Sequence, residues 1–198
     1  MTTAIVILAG GEGRRIGGDK PIRRLGSQSL IERALELAHR LSPLVAISVR
    51  DADQLRDAPV ERLLDMGGID GPLAGLAAAL RFTAQMDLDL LLTLPCDAPF
   101  LPDDLFTRLS DALAPNQLAS VPTSGGRLHP SCALWRVEAF DELAAYVETG
   151  RSSLTGFAEQ IGHVAVEWSV EPLDRFFNIN SEEDLARAEE MLRGIPSG

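Results

Sequence analysis

Short apolar runs recur along this chain. Several are halted by glycine or proline, and they alternate with stretches whose apolar residues repeat at helical spacing. The first, Ala4-Ile5-Val6-Ile7-Leu8, runs into Ala9-Gly10-Gly11 and has the pattern of a strand buried on both faces. Residues 30–41 then place Leu30, Ile31, Ala34, Leu35, Ala38 and Leu41 on one helical face, and Ser42-Pro43 closes the segment. The alternation continues with strands expected over 44–49 and 60–64, a helix over 71–82 and a strongly apolar strand over 88–94 broken by Pro95. An amphipathic helix over 103–113 follows, then strands over 118–122 and 131–135 around a turn at Gly125-Gly126, and helices over 137–148 and 152–161. Strands over 163–168 and 176–179 come next. Ser181-Glu182-Glu183-Asp184 reads as an N-cap with an acidic first turn, opening a last helix through Arg193. Strand-then-helix repetition at these lengths implies an α/β fold in three layers, a mostly parallel central sheet with helices on both faces.

The 198 residues suit one domain. A net charge of -11 and a pI near 4.7 speak against a nucleic-acid surface, which needs a broad basic patch. No apolar run approaches the roughly 20 residues of a membrane span, and none resembles a secretory signal. Cys96 and Cys132 form neither a metal spacing nor a disulfide framework, and His39, His129 and His163 are scattered. A cytoplasmic protein is expected, without nucleic-acid or membrane partners. Cys96 reads as a buried filler and His39 as structural. His129 reads as a loop residue or as one that faces a ligand.

Lysine occurs once, at Lys20, while seventeen cations are arginine. It follows a glycine-studded stretch, and Arg14, Arg15, Lys20, Arg23 and Arg24 place five cations in eleven residues. A compact ammonium beside glycines whose backbone N–H groups can approach an anion is suited to phosphate, and Arg15 can grip phosphate oxygens in bidentate fashion. The stretch lacks the third glycine of a dinucleotide fingerprint and the Gly-Lys-Ser/Thr of a Walker loop.

In an open parallel sheet, ligands gather at the carboxyl ends of the strands. Three segments fall there: the glycine loop, Asp65 ahead of Gly71-Pro72-Leu73-Ala74-Gly75, and Pro95-Cys96-Asp97-Ala98-Pro99. Asp97 is a metal ligand or a turn cap, since magnesium is commonly held by one or two carboxylates together with substrate phosphates. Asp65 either accepts from a base amine or ribose hydroxyl or caps a turn.

Leu8-Ala9-Gly10-Gly11 with Arg15-Ile16-Gly17-Gly18-Asp19-Lys20 resembles the signature loop of the MobA-like nucleotidyltransferases. Gly71-Pro72-Leu73-Ala74-Gly75, Pro95-Cys96-Asp97-Ala98-Pro99 and Asn178-Ile179-Asn180-Ser181 resemble further motifs of that family in the same order, so the similarity spans nearly the whole chain. The resemblance implies a Rossmann-like nucleotidyltransferase domain over 1–198, with a nucleotide-binding half at about 1–115 and an acceptor-binding half at about 116–198. It implies transfer of GMP from GTP with Mg2+ to the phosphate of molybdopterin-bound molybdenum, releasing pyrophosphate, and contacts with cofactor-handling proteins and molybdoenzyme chaperones. Carried over, Leu8, Ala9, Gly10, Gly11, Asp65, Gly71, Pro72, Leu73 and Gly75 hold the nucleotide. Arg15 and Lys20 neutralise its phosphates, Asp97 carries the metal, and Arg151, Asn178 and Asn180 lie toward the acceptor. The family usually has an asparagine near the end of the second strand. Here the segment reads Ile47-Ser48-Val49-Arg50, with Val49 at about that position and Ser48 or Arg50 as possible substitutes. The Gly-Pro-Leu-Ala-Gly run and the first-loop sequence favour guanine over cytosine. A related cytidylyl- or sugar-nucleotidyltransferase, or a non-catalytic molybdopterin-binding protein, are the competing readings.

Overall fold

The computed structural model describes residues 3–10 and 20–194; the expectations for Gly11 and Arg15 fall outside them. Strand β1 is Ala4–Leu8, and its residues alternate between two apolar layers. Ile5 and Ile7 enter the layer on one side, Ala4 and Val6 that on the other. A two-stranded ribbon, β2 (Arg24–Leu25) and β3 (Gln28–Ser29), leads into helix α1 (Leu30–Leu41). The helix starts where it does because Ser29 and Glu32 satisfy each other's backbone. Glu32 N–H donates to Ser29 Oγ at 3.3 Å, and Ser29 N–H donates to Glu32 Oε2 at 2.6 Å.

The chain continues through β4 (Val45–Val49), β5 (Glu61–Leu64), α2 (Pro72–Gln85), β6 (Leu90–Pro95) and α3 (Leu105–Ala112). Then come β7 (Ala119–Ser124), β8 (Arg127–Leu128), β9 (Leu134–Arg136), α4 (Leu143–Glu148), α5 (Leu154–Ile161), β10 (His163–Trp168) and α6 (Glu182–Gly194). The main sheet runs in the order β10-β7-β9-β6-β1-β4-β5, with β8 paired to β7. Helices α1 and α3 pack on one face, and α2, α4 and α5 on the other. The three-layer α/β architecture expected from the sequence is the one observed.

Three local expectations are corrected. Residues 131–135 are not one strand: Pro130–Cys132 make a 3-10 turn, and β9 then runs antiparallel between β6 and β7. Its placement is fixed by Trp135, fully buried, whose Nε1–H donates to Thr93 Oγ1 at 3.1 Å. The helix expected over 137–148 is broken into a 3-10 turn, Val137–Phe140, and α4. Residues 176–179 form no strand; Ile179 N–H is spent on Asp97 O at 2.9 Å, which straps the segment across the rim of the sheet. The β2–β3 ribbon was not expected at all. The turn at Gly125-Gly126 does appear, with φ of 54° and 76°, the positive pair that a tight hairpin demands.

Candidate active site

Strands β5, β4, β1 and β6 lie side by side and parallel, so their carboxyl ends open on one rim. The chain leaves β1 toward β4 and β5, then returns to β6 on its other side, and a crevice forms where the winding reverses. A cavity of about 540 Å3 occupies it. Its walls include Leu8 and Gly10 after β1, Ser48 and Arg50 at the end of β4, and Asp65 after β5. Gly71, Pro72 and Gly75 at the start of α2, Asp97 after β6 and Asn178 also contribute.

At one end, the Asp65 carboxylate is wedged between two glycines. A Cβ on Gly10 would stand 2.6 Å from Asp65 Oδ2, and one on Gly75 would stand 2.6 Å from Ser48 Oγ and 3.3 Å from Asp65 Oδ1. Ser48 Oγ–H donates to Asp65 Oδ1. Burial pushes the Asp65 carboxyl above the usual aspartate range, while the Ser48 hydroxyl and the Arg50 guanidinium pull it back. Gly71, the residue before α2, has φ 67° and ψ -157°, a region open essentially only to glycine. No side chain caps α2; Pro72 has no N–H and the Ala74 N–H donates to Gly71 O at 3.2 Å, so it is chiefly the positive end of the helix dipole that stands at the cavity wall.

At the other end, Lys20 sits in a short 3-10 turn, Lys20–Ile22, and is only 9% exposed. Its ammonium donates to Asp97 Oδ2 at 2.5 Å and to Asn180 Oδ1 at 2.8 Å. Asn180 borders a second cavity of about 240 Å3, and Asn178 lines both. In the second cavity Ser124 Oγ–H donates to Asp174 Oδ1 at 3.1 Å. Its one proton thus spent, the hydroxyl accepts from His129 Nε2 at 2.9 Å, which fixes the tautomer. His129 stacks on Phe176 at 4.7 Å between ring centres, and burial holds the imidazole below its usual range, with Arg127 adding to the effect and Asp174 and Glu167 opposing it. His129 therefore borders a cavity, and Ser124 and Asp174, which local sequence pattern did not single out, join it only through the fold.

Of the residues expected from sequence, Leu8, Gly10, Asp65, Gly71, Pro72, Gly75, Asp97 and Asn178 line the first cavity, Asn178 and Asn180 line the second, and Lys20, on the wall of neither, ties Asp97 of the first to Asn180 of the second. Three others are not brought to the walls. Leu73 is fully buried, because the face of α2 that carries it packs onto the sheet. The Ala9 side chain points into the opposite apolar layer, and its N–H is held by Ser48 O at 2.9 Å. The Arg151 guanidinium lies over the Tyr146 ring at 4.6 Å and donates to Thr149 Oγ1 and Gln160 Oε1, away from Asn178 and Asn180.

The cation cluster also divides: Arg23 pairs with Glu182 at 3.0 Å, and Arg24 donates to the Ser27 carbonyl. Val49 is buried in the core, whereas its neighbours Ser48 and Arg50 face the cavity. Strand alternation thus makes Ser48 and Arg50 the positions that address a ligand. Cys96 is buried, and its thiol is pushed up to about 12 by that burial, with Asp97 adding to it, so it is an inert filler.

Among the described residues no three His, Cys, Asp or Glu side chains form a preformed metal cage. The single Asp97 carboxylate facing a roomy cavity suits a hard cation that keeps several waters and is bound chiefly through substrate phosphates. Among the described residues, too, no helix is long and apolar enough to cross a membrane.

Comparison with known proteins agrees with this layout. The MobA-like NTP transferase domain matches residues 5–164. The molybdenum cofactor guanylyltransferase of Cereibacter sphaeroides is 42% identical over 193 residues, covering 95% of this chain and 96% of that protein. The enzyme of the same name from Rhodopseudomonas palustris (strain BisB5) is 37% identical, covering 94% and 92%. The crystal structure of molybdopterin-guanine dinucleotide biosynthesis protein A from Archaeoglobus fulgidus superposes with a TM-score of 0.80 at 27% identity, covering 98% and 100%. The chain belongs to the MobA-like NTP transferases, a family of nucleotidyltransferase enzymes.

Proposed function

We propose that this protein transfers GMP from GTP to the phosphate of molybdopterin-bound molybdenum cofactor, releasing pyrophosphate and forming the guanine dinucleotide form of the cofactor in the cytoplasm. The observation that carries the reading is the bridge made by Lys20. One ammonium holds Asp97, on the wall of the larger cavity, and Asn180, on the wall of the smaller. Two ligands seated in the two cavities would meet at that nitrogen. In this reading residues at about 1–115 supply the nucleotide site and residues at about 116–198 most of the acceptor site, within one domain.

The acceptor phosphate is already an anionic nucleophile, so no general base is required. Its oxygen forms a bond to the α-phosphorus of GTP, the bond from that phosphorus to the bridging oxygen breaks, and pyrophosphate departs with the electron pair. The obstacle is bringing two anions together. Unit charges 4 Å apart interact by about 4 kcal/mol at an effective dielectric near 20. Lys20 lies where that repulsion would be greatest. Asn178 and Asn180 orient the acceptor, Asp65 holds the base, and the start of α2 presents the positive end of its dipole. Magnesium held at Asp97 would supply additional charge neutralisation at the phosphates.

The test is pyrophosphate release from GTP and from CTP with magnesium and molybdenum cofactor. Turnover with GTP at least about tenfold faster supports the reading. Preference for CTP would move the protein to the cytidylyl branch, and cofactor binding without turnover would make it a carrier.

A further inference from the structure

We propose that Ser48 is a positioning residue for nucleotide selection: its hydroxyl sets the Asp65 carboxylate to accept from the adjacent N–H and NH2 donors of a guanine edge. The proposal rests on the guanine-nucleotide reading above and adds the residue that enforces it. Asp65 lies one residue beyond the end of a short edge strand, with its N–H donating to Val49 O at 2.9 Å. A carboxylate so placed is free to rotate unless something fixes the plane of its oxygens. Ser48 does so from β4, the neighbouring strand. It is 1% exposed, and its single proton is spent on Asp65 Oδ1.

The surroundings are cut to this pair. Gly10 leaves room for Asp65 Oδ2, and Gly75 leaves room for the Ser48 hydroxyl; a Cβ at either would stand 2.6 Å from the atom it faces. Asp65 and Ser48 both line the cavity beside α2, so the held carboxylate is presented to that cavity. Two acceptor oxygens in one plane match adjacent donors on a guanine edge. Cytosine offers one amine donor beside a ring-nitrogen acceptor, so it can satisfy one carboxylate oxygen while its ring nitrogen repels the other. Hypoxanthine keeps the ring N–H but lacks the amine. A site built on hydrogen bonds to the missing group rejects such an analogue strongly. Without Ser48 the Asp65 carboxyl also loses a donor that favours its ionised, acceptor-only form.

The experiment measures equilibrium binding of GTP, ITP and CTP by calorimetry, and steady-state turnover with magnesium and molybdenum cofactor, for the wild type, Ser48→Ala and Ser48→Thr. For Ser48→Ala we expect GTP binding to weaken about tenfold or more and KM to rise in step. The GTP-to-ITP preference should fall toward unity, and kcat should change far less. Ser48→Thr, which restores the hydroxyl, should recover the preference. Should Ser48→Ala fail to fold, Ser48→Cys, which keeps the side-chain size but offers only a weak donor, takes its place: loss of the GTP-to-ITP preference in it supports the role, and an unchanged ratio overturns it. A Ser48→Ala enzyme that folds and keeps the wild-type GTP-to-ITP ratio also overturns it. The two ideas fail separately: wild type that binds GTP selectively without turning it over defeats the proposed reaction while leaving Ser48 its role.

Discussion

Replacing Lys20 with arginine keeps the positive charge, yet it should slow turnover about 100-fold. The reason lies in the geometry of the bridge. One nitrogen, on a residue only 9% exposed, meets Asp97 Oδ2 at 2.5 Å and Asn180 Oδ1 at 2.8 Å. Arginine spreads its charge over a planar fork on a longer stem and cannot place a single nitrogen between those two oxygens. Either the fork or the loop after β6 must move by about 1 Å. A misplacement of that size costs about 10²-fold in rate, or about 2.7 kcal/mol of transition-state stabilisation. Stability should change little, because Asp97 keeps a cationic partner. Lys20→Met sets the scale, since it strands the carboxylate. An unpaired buried group costs about 1–3 kcal/mol. The figure should fall near the lower end here, because the Asp97 side chain is 20% exposed and water can reach it. Single-turnover pyrophosphate release at saturating GTP, with urea denaturation of the same samples, separates the two effects. Arginine within threefold of wild type would mean that net charge suffices and the one-nitrogen bridge is irrelevant. Equal loss of stability in both variants would assign the slow turnover to damage in the fold.

Two further outcomes follow from the packing. Asp65 has a folded-state pKa above its ordinary value of 3.8, chiefly through burial, so the folded protein holds that proton more tightly than the unfolded chain. Its contribution is favourable below 3.8 and is lost as pH rises through the folded value. Asp65→Asn should therefore gain stability relative to wild type as pH climbs out of that window, while losing GTP affinity. Thermal melts across pH would contradict this if the wild type gained instead. Gly156→Ala should destabilise the protein by about 1–3 kcal/mol despite alanine's higher helix propensity. The new Cβ would stand 2.4 Å from the hydroxyl of fully buried Tyr146 and 3.0 Å from Ser153 Oγ. Tyr146→Phe in the same background should recover part of the loss in denaturant titrations; strict additivity of the two changes would exclude the clash.

The amino-acid sequence by itself determined the layers and the rim. The apolar pattern of residues 4–8, the helical face over 30–41 and the breaks at glycine and proline are local signals, and each element they specify has few alternatives once its apolar side must be buried. Parallel pairing then forces the loops after β1, β5 and β6 to one edge, which is why Gly10, Asp65 and Asp97 could be anticipated together. What only the tertiary structure decided was which atoms meet. That Val49 faces the core and Ser48 the cavity depends on where β4 enters its register with β1. A slip of one residue would exchange them. That Leu73 belongs to the core and Arg151 to the Tyr146 ring depends on the packing of α2, α4 and α5. The bridge from Asp97 through Lys20 to Asn180 joins residues 77 and 160 positions apart. No local periodicity encodes a contact of that separation; it exists because the fold brings Lys20, the loop after β6 and the segment before α6 to one rim.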